Sequence, residues 1–199
     1  MTAIVLNLKP FVELSDDQFY QLCQIHRDLK FERTAGGELV IVSPVGGEWG
    51  SREADIIGDL VFWNRRSQLG KAFSSSTCFK LPNGADRSPD AAWIAWERWH
   101  QLTPEQRKEF PPLCPDFVIE LRSESDALEP LQQKMQEYTD NGLRLRWLIN
   151  PQQRQVEIYR ANQPKQVLQN PDRVDGEDVL PGFGLALSTL WGELSSCAK

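Results

Sequence analysis

The sequence predicts an α/β (α+β) fold in which helices flank a central mixed β-sheet. Three observations predict it. Two strand-length apolar runs, 90–96 and 116–122, lie in the middle of the chain, and segments with helical spacing of apolar residues come before and after them. Further short strands follow the second helical segment, so strands and helices interleave along the chain. With 199 residues, seven Trp and 40% apolar content, the chain can build a sizeable core, and its length suits one domain over 1–199.

The elements are expected as follows. Residues 15–28 form a helix: Ser15 is placed to cap it ahead of Asp16 and Asp17, and Phe19, Leu22, Cys23 and Ile25 make its apolar stripe. A hairpin follows, Phe31 to Thr34 and Glu38 to Ser43 about the turn Ala35-Gly36-Gly37. Pro44, Gly46 and Gly47 break the chain, and a second helix runs from there to about Ser67, stopped by Gly70. Phe73 to Leu81 reads as one strand closed by Pro82-Asn83-Gly84, and Asp90 to Trp96 as the next. Thr103-Pro104-Glu105 starts a short helix that Pro111-Pro112 ends. Asp116 to Arg122 is a strand, Leu128 to Asn141 a helix stopped at Gly142, and Arg144 to Ile149 and Arg154 to Arg160 are strands about an Asn150-Pro151 turn. A turn-rich tail ends in a short apolar segment, Leu185 to Leu194.

Composition excludes several classes. No apolar run approaches the roughly 20 residues of a membrane-spanning helix, and the start of the chain lacks secretory features, so a cytoplasmic protein with no membrane partner is expected. Cys23, Cys78, Cys114 and Cys197 have no C-x-x-C spacing, and His26 and His100 are the only histidines, which leaves a zinc site without support. Neither histidine accompanies a nucleophile motif of a hydrolase triad. Trp93, Trp96, Trp99 and Trp147 are expected in the core or at a subunit contact. The formal charge of −6 argues against a whole surface built to coat nucleic acid.

The informative residues are charges within apolar strands. In 116–122 the period of two places Phe117, Ile119 and Leu121 on one face and Asp116, Val118, Glu120 and Arg122 on the other. Such a strand is either a solvent-facing edge or a central strand whose polar face lines a cleft. The run after Asp90 is apolar on both faces, as in a covered strand, which favours the cleft. A buried carboxylate costs several kcal/mol unless paired or bound to metal. On the following helix, Leu128, Leu131, Met135 and Tyr138 form the packed stripe, and Lys134 lies on or beside it. Lys134 either covers apolar surface with its stem or reaches the carboxylates of the neighbouring strand. Asp90, Glu120 and Lys134 together suit metal-assisted phosphodiester hydrolysis, since Mg2+ prefers carboxylate oxygens and activates bound water.

At these residues the sequence resembles the Uma-type restriction endonuclease family of the PD-(D/E)XK nuclease superfamily. The phrases that carry the resemblance are Ser43-Pro44 with Gly46-Gly47-Glu48, the stretch 81–90 ending in Ser88-Pro89-Asp90, and Pro115-Asp116-Phe117-Val118-Ile119-Glu120-Leu121-Arg122-Ser123. They continue in Leu131-Gln132-Gln133-Lys134-Met135-Gln136-Glu137-Tyr138 and Trp147-Leu148-Ile149-Asn150-Pro151, and their order spans about 10–190. The resemblance implies a restriction-endonuclease-like core and an endonuclease that cuts DNA with Mg2+ (or Mn2+) held by Asp90 and Glu120. It departs from the superfamily at the third position of the acidic triplet, where Arg122 replaces lysine. Lys134 then fits nucleases whose lysine has moved to the next helix, and Arg122, always protonated, could clamp phosphate but is a poor base. The superfamily's helix glutamate maps to Glu48, with Glu53 as the alternative. Asp116 and Tyr138 take supporting places. A homodimer is expected, because two-fold symmetry suits cutting both strands of a duplex. Acidic residues spent on metal binding would leave weak, metal- and salt-sensitive DNA binding. The competing expectations are an inactive nuclease-fold binding module and an oligomeric scaffold in which 116–122 is an edge.

Overall fold

The computed structural model of the protein describes residues 3–192. Cys197 and the end of the apolar segment at 193–194 lie outside the described residues. In chain order the elements are β1 (Ile4–Leu6), α1 (Asp16–Ile25), β2 (Lys30–Arg33), β3 (Leu39–Val42), α2 (Gly47–Ser67), β4 (Gly70–Ser74), β5 (Phe79–Lys80), β6 (Asp86–Arg87) and β7 (Ala91–Ala95). They continue with α3 (Trp96–Gln101), α4 (Pro104–Lys108), β8 (Phe117–Leu121), α5 (Leu128–Asp140), β9 (Leu145–Asn150), a 3-10 turn (Pro151–Gln153), β10 (Gln155–Arg160), β11 (Gln166–Gln169), β12 (Arg173–Asp175) and β13 (Gly184–Ala186).

Two sheets position the site. The larger has six strands in the order β11-β10-β9-β8-β7-β4. It is mixed: β8 runs parallel to β9 and antiparallel to β7. A parallel neighbour needs a long crossover, and α5 supplies it between β8 and β9. The smaller sheet has the order β1-β3-β2-β6-β5. It is built on the hairpin of β2 and β3, whose register pairs Phe31 with Ile41 and Arg33 with Leu39.

Every residue of β8 is buried, because both of its faces are covered. Phe117, Ile119 and Leu121 pack with Ile56 and Leu60 of α2 on one side, while Val118 meets Met135 and Tyr138 of α5 on the other. Trp93, Trp99 and Trp147 are buried as expected; Trp96 is exposed and stacks on His100. Both stand in α3, so the aromatic strand ends at Ala95.

Local chemistry sets the boundaries. Ser15 accepts from the Gln18 amide while Gln18 accepts from that of Ser15, a capping box that starts α1. Thr103 and Gln106 repeat the device at α4. Gly70 is required where α2 turns into the sheet: a Cβ there would stand 2.2 Å from the Ile94 carbonyl oxygen.

One expected element is divided. The run 73–81 is two strands, β4 in the large sheet and β5 in the small one. A hydrogen-bonded turn from Thr77 to the Ser74 carbonyl, 3.0 Å, redirects the chain between them. Phe73 and Phe79 both pack apolar surface, 5.3 Å apart edge to face, so the apolar pattern persists across a real break. Strands β1, β6, β11, β12 and β13 also carry no strong pattern, being only two to four residues long.

Candidate functional site

The two larger sheets meet at a cleft of about 940 Å³ lined by residues of β2, β3, α2, β8 and α5 and by Asp90, just ahead of β7. Asp90 stands at the mouth of β7 and Glu120 near the end of β8. The antiparallel register pairs Ala91 with Ile119, and one step further sets Asp90 across from Glu120. Directly opposed side chains lie about 5 Å apart at Cβ. Asp90 Oδ2 accepts from the Leu121 amide at 2.7 Å, which fixes its carboxylate at the strand end.

Lys134 extends from α5 to the same place. Its Nζ lies 2.8 Å from Glu120 Oε1 and 2.8 Å from Glu32 Oε1. Tyr138, one turn further on α5, donates its hydroxyl to Glu120 Oε1 at 3.1 Å. The i, i+4 spacing of Lys134 and Tyr138 thus places an ammonium and a phenol on one carboxylate.

Glu32 was not legible as a site residue. It lies on β2, is nearly fully buried, and accepts from Lys134, Arg87 and the Ser88 amide. Arg87 also donates to Glu137 of α5, so a chain of ion pairs ties the small sheet to the helix. The one signal was alternation: within the hairpin strand Phe31-Glu32-Arg33, a carboxylate flanked by a core aromatic is a candidate for burial on the opposite face.

The carboxylates differ in their electrostatics. Burial alone would push Glu32 up, but Lys134, Arg87 and Lys30 together hold its carboxyl down at about 2. Glu120 is pushed up to about 7, first by burial, against the pull of Lys134 and with Asp90 and Glu32 adding repulsion. Asp90 is raised by burial, opposed by Lys30 and aided by Glu53. Glu53, from α2, is raised by burial as well and feels Lys30 and Glu120. Lys134 moves up despite burial, because Glu120 and Glu32 hold its proton.

The other expected site residues separate. Glu53 lines the cleft and Glu48 does not: Glu48 sits exposed in the first turn of α2. A helix rotates about 100° per residue, and the position five further on turns inward. Arg122 is turned away as well, donating Nε to the Asp126 carbonyl at 3.0 Å and NH1 to Asn150 Oδ1 at 3.3 Å. It braces the turn after β8. Asp116 shares a face with Glu120 but lies at the opposite end of the strand, about 13 Å away at 3.3 Å per residue. There it accepts from the Ala95 amide at 2.9 Å and pairs with Arg98 at 3.0 Å.

The donor set could hold a divalent cation. Asp90, Glu53 and Glu120 crowd negative charge that burial and mutual repulsion disfavour. Among the described residues no three His, Cys, Asp or Glu side chains are placed to hold a metal. What remains is the pair Asp90 and Glu120, and a hard ion such as Mg2+ can bind through one or two carboxylates while keeping several waters.

A mixed sheet crossed by one parallel βαβ unit, with paired carboxylates on adjacent central strands and a lysine over them, defines the restriction-endonuclease-like class of nuclease folds. The chain matches the Uma2 family, described as putative restriction endonuclease, over residues 16–188, and it belongs to that family. It is similar to a putative nuclease of the DUF820 group from Anabaena variabilis ATCC 29413, known from its crystal structure, with a TM-score of 0.73 at 18% identity. That likeness covers 90% of this chain and 98% of the other, and at such identity it speaks for the fold. No curated protein matches the chain.

Proposed function

We propose that this protein is a metal-dependent DNA endonuclease that hydrolyses phosphodiester bonds in the cleft between its two larger sheets. The observation that carries the reading is Lys134, whose Nζ stands 2.8 Å from Glu120 while Glu120 faces Asp90 across two central strands. Neither an edge strand nor a purely packing lysine has a use for that arrangement; β8 lies between β7 and β9.

Asp90 and Glu120 would hold Mg2+ or Mn2+, and the charge of Glu53, which both carboxylates feel, would add to the pull on the ion. When bound, the ion supplies Lewis acidity to a phosphoryl oxygen and lowers the pKa of coordinated water. The residues do the rest. The Leu121 amide fixes the Asp90 carboxylate. Tyr138 and Lys134 both engage Glu120 through Oε1, so a bound ion would draw on the other carboxylate oxygen. Lys134, held protonated by two carboxylates, acts as a fixed positive charge beside the phosphorus, where the transition state gathers negative charge. It is not a base in this state.

Purified protein incubated with supercoiled plasmid and Mg2+ or Mn2+ is expected to nick and linearise it. Asp90→Ala and Glu120→Ala should each abolish cleavage while circular dichroism and the melting curve stay those of a folded protein. Failure of the wild type to cut duplex, single-stranded or branched DNA with either ion sinks the enzymatic reading. Calorimetric metal binding without turnover would point instead to a binding module on the nuclease fold.

A further inference from the structure

The cations in the cleft are not equally engaged. Lys134 and Arg87 each hold two carboxylates. Arg27, at the rim, donates to Gln24. The side chain of Lys30, on β2, makes no hydrogen bond among the described residues, and its Nζ stands 4.0 Å from Asp90 Oδ1. Its side chain is 28% exposed against 14% for Lys134, so it borders the open part of the cleft. Asp90, Glu53 and Glu32 all feel its charge.

From that placement we infer that Lys30 is a substrate-binding residue kept in reserve: its ammonium is the counter-cation of Asp90 while the cleft is empty, and it moves to a backbone phosphate of DNA once a divalent ion takes the carboxylates. The inference rests on the nuclease reading of the same cleft. Its physical basis is competition. An ammonium about 4 Å from Asp90 and an ion bound to Asp90 repel each other, and a four-carbon stem lets the lysine leave at little cost. A loose 4.0 Å contact without a hydrogen bond is one that a metal can displace, unlike the 2.8 Å pairs that fix Lys134. Metal loading and phosphate binding are coupled in this way through one side chain. Glu32 keeps the two lysines distinct, since it takes a hydrogen bond from Lys134 and none from Lys30.

The test compares wild type, Lys30→Met and Lys30→Arg. Calorimetric titration of DNA-free protein with Mn2+ should show Lys30→Met binding the ion about tenfold more tightly or better, as removal of a nearby unit charge implies. Binding to a duplex in Ca2+, followed over a range of salt, should show weaker association for Lys30→Met and a log–log salt slope smaller by about one. Lys30→Arg, which keeps the charge, should restore both values toward wild type and excludes misfolding as the cause. An unchanged or reduced Mn2+ affinity in Lys30→Met, or an unchanged salt slope, overturns the inference and leaves the nuclease reading standing. Wild-type protein that binds Mn2+ and DNA without cutting removes the nuclease reading and leaves the competition measurable. Absence of Mn2+ binding by the wild type overturns both.

Discussion

Asp116 and Glu120 lie four residues apart around one strand, share a face, and are hidden from solvent to the same degree, 0% and 4% exposed. Their company differs. Asp116 meets two arginines, Arg98 at 3.0 Å and Arg144 at 3.8 Å, and caps the Ala95 amide. Glu120 meets one lysine that is already shared with Glu32, and it faces Asp90. One end of β8 has surplus positive charge partly open to water, the other a surplus of carboxylates around a cleft. A buried carboxylate is therefore not by itself a site. It becomes one where the neighbours leave negative charge uncompensated, so that a cation or a proton must supply the balance.

That contrast breaks most clearly by substitution at each end. Glu120→Gln should lower the cleavage rate at least about a hundredfold. Its effect on stability has the opposite sign. The folded carboxyl is raised from 4.5 to about 7, so the folded state keeps a proton that the unfolded state releases, and stability falls as pH rises from 4.5 through 7. Above pH 7 the Gln variant, free of that loss, should be as stable as wild type or more so, by denaturant unfolding at pH 8. Asp116→Asn should spare cleavage and cost about 2 kcal/mol, less than for a fully enclosed pair because Arg98 and Arg144 reach water. If Asp116→Asn removes activity in folded protein, the two ends are not separate.

The two glutamates of α2 sharpen the same distinction with a smaller effect. Glu53→Gln should weaken Mn2+ binding about tenfold, as loss of a group behind the metal ligands does, and Glu48→Gln should leave it within about twofold. Calorimetry on both variants measures it. Equal effects would mean that the helix offers its exposed first turn to the ion.

Tyr138→Phe gives the smallest change. It removes one hydrogen bond to Glu120 and leaves the ring packed against Met135 and Val118. About 1 kcal/mol of stability and a severalfold drop in rate are expected, read by thermal unfolding and plasmid nicking. A far larger loss of rate at unchanged stability would make the hydroxyl more than a brace for the carboxylate.

Much of this was written in local pattern. Ser15 and Gln18, Thr103 and Gln106, and the glycine-marked turns announce their elements because a cap is a contact between residues three apart. Periodicity placed Glu120 on a strand and Lys134 beside the packed stripe of the next helix. The family resemblance picked Asp90 and Glu120 as partners, and the register puts them opposite each other. The same resemblance favoured Glu48, and the period of two grouped Asp116 with Glu120, because face and phrase are all that a one-dimensional pattern reports.

What the sequence determined by itself is the longer helices, the central strands of a mixed sheet and the grouping of Asp90, Glu120 and Lys134 as candidates. The tertiary structure decided which end of β8 opens into a cleft, that Glu53 and not Glu48 turns toward it, and that Glu32 and Lys30 arrive from a second sheet. The reason is physical. Helix caps and strand faces arise from neighbours within a few residues, whereas the charge around a buried carboxylate is summed over side chains as distant as Glu32 and Lys134, which are 102 positions apart and 2.8 Å from each other.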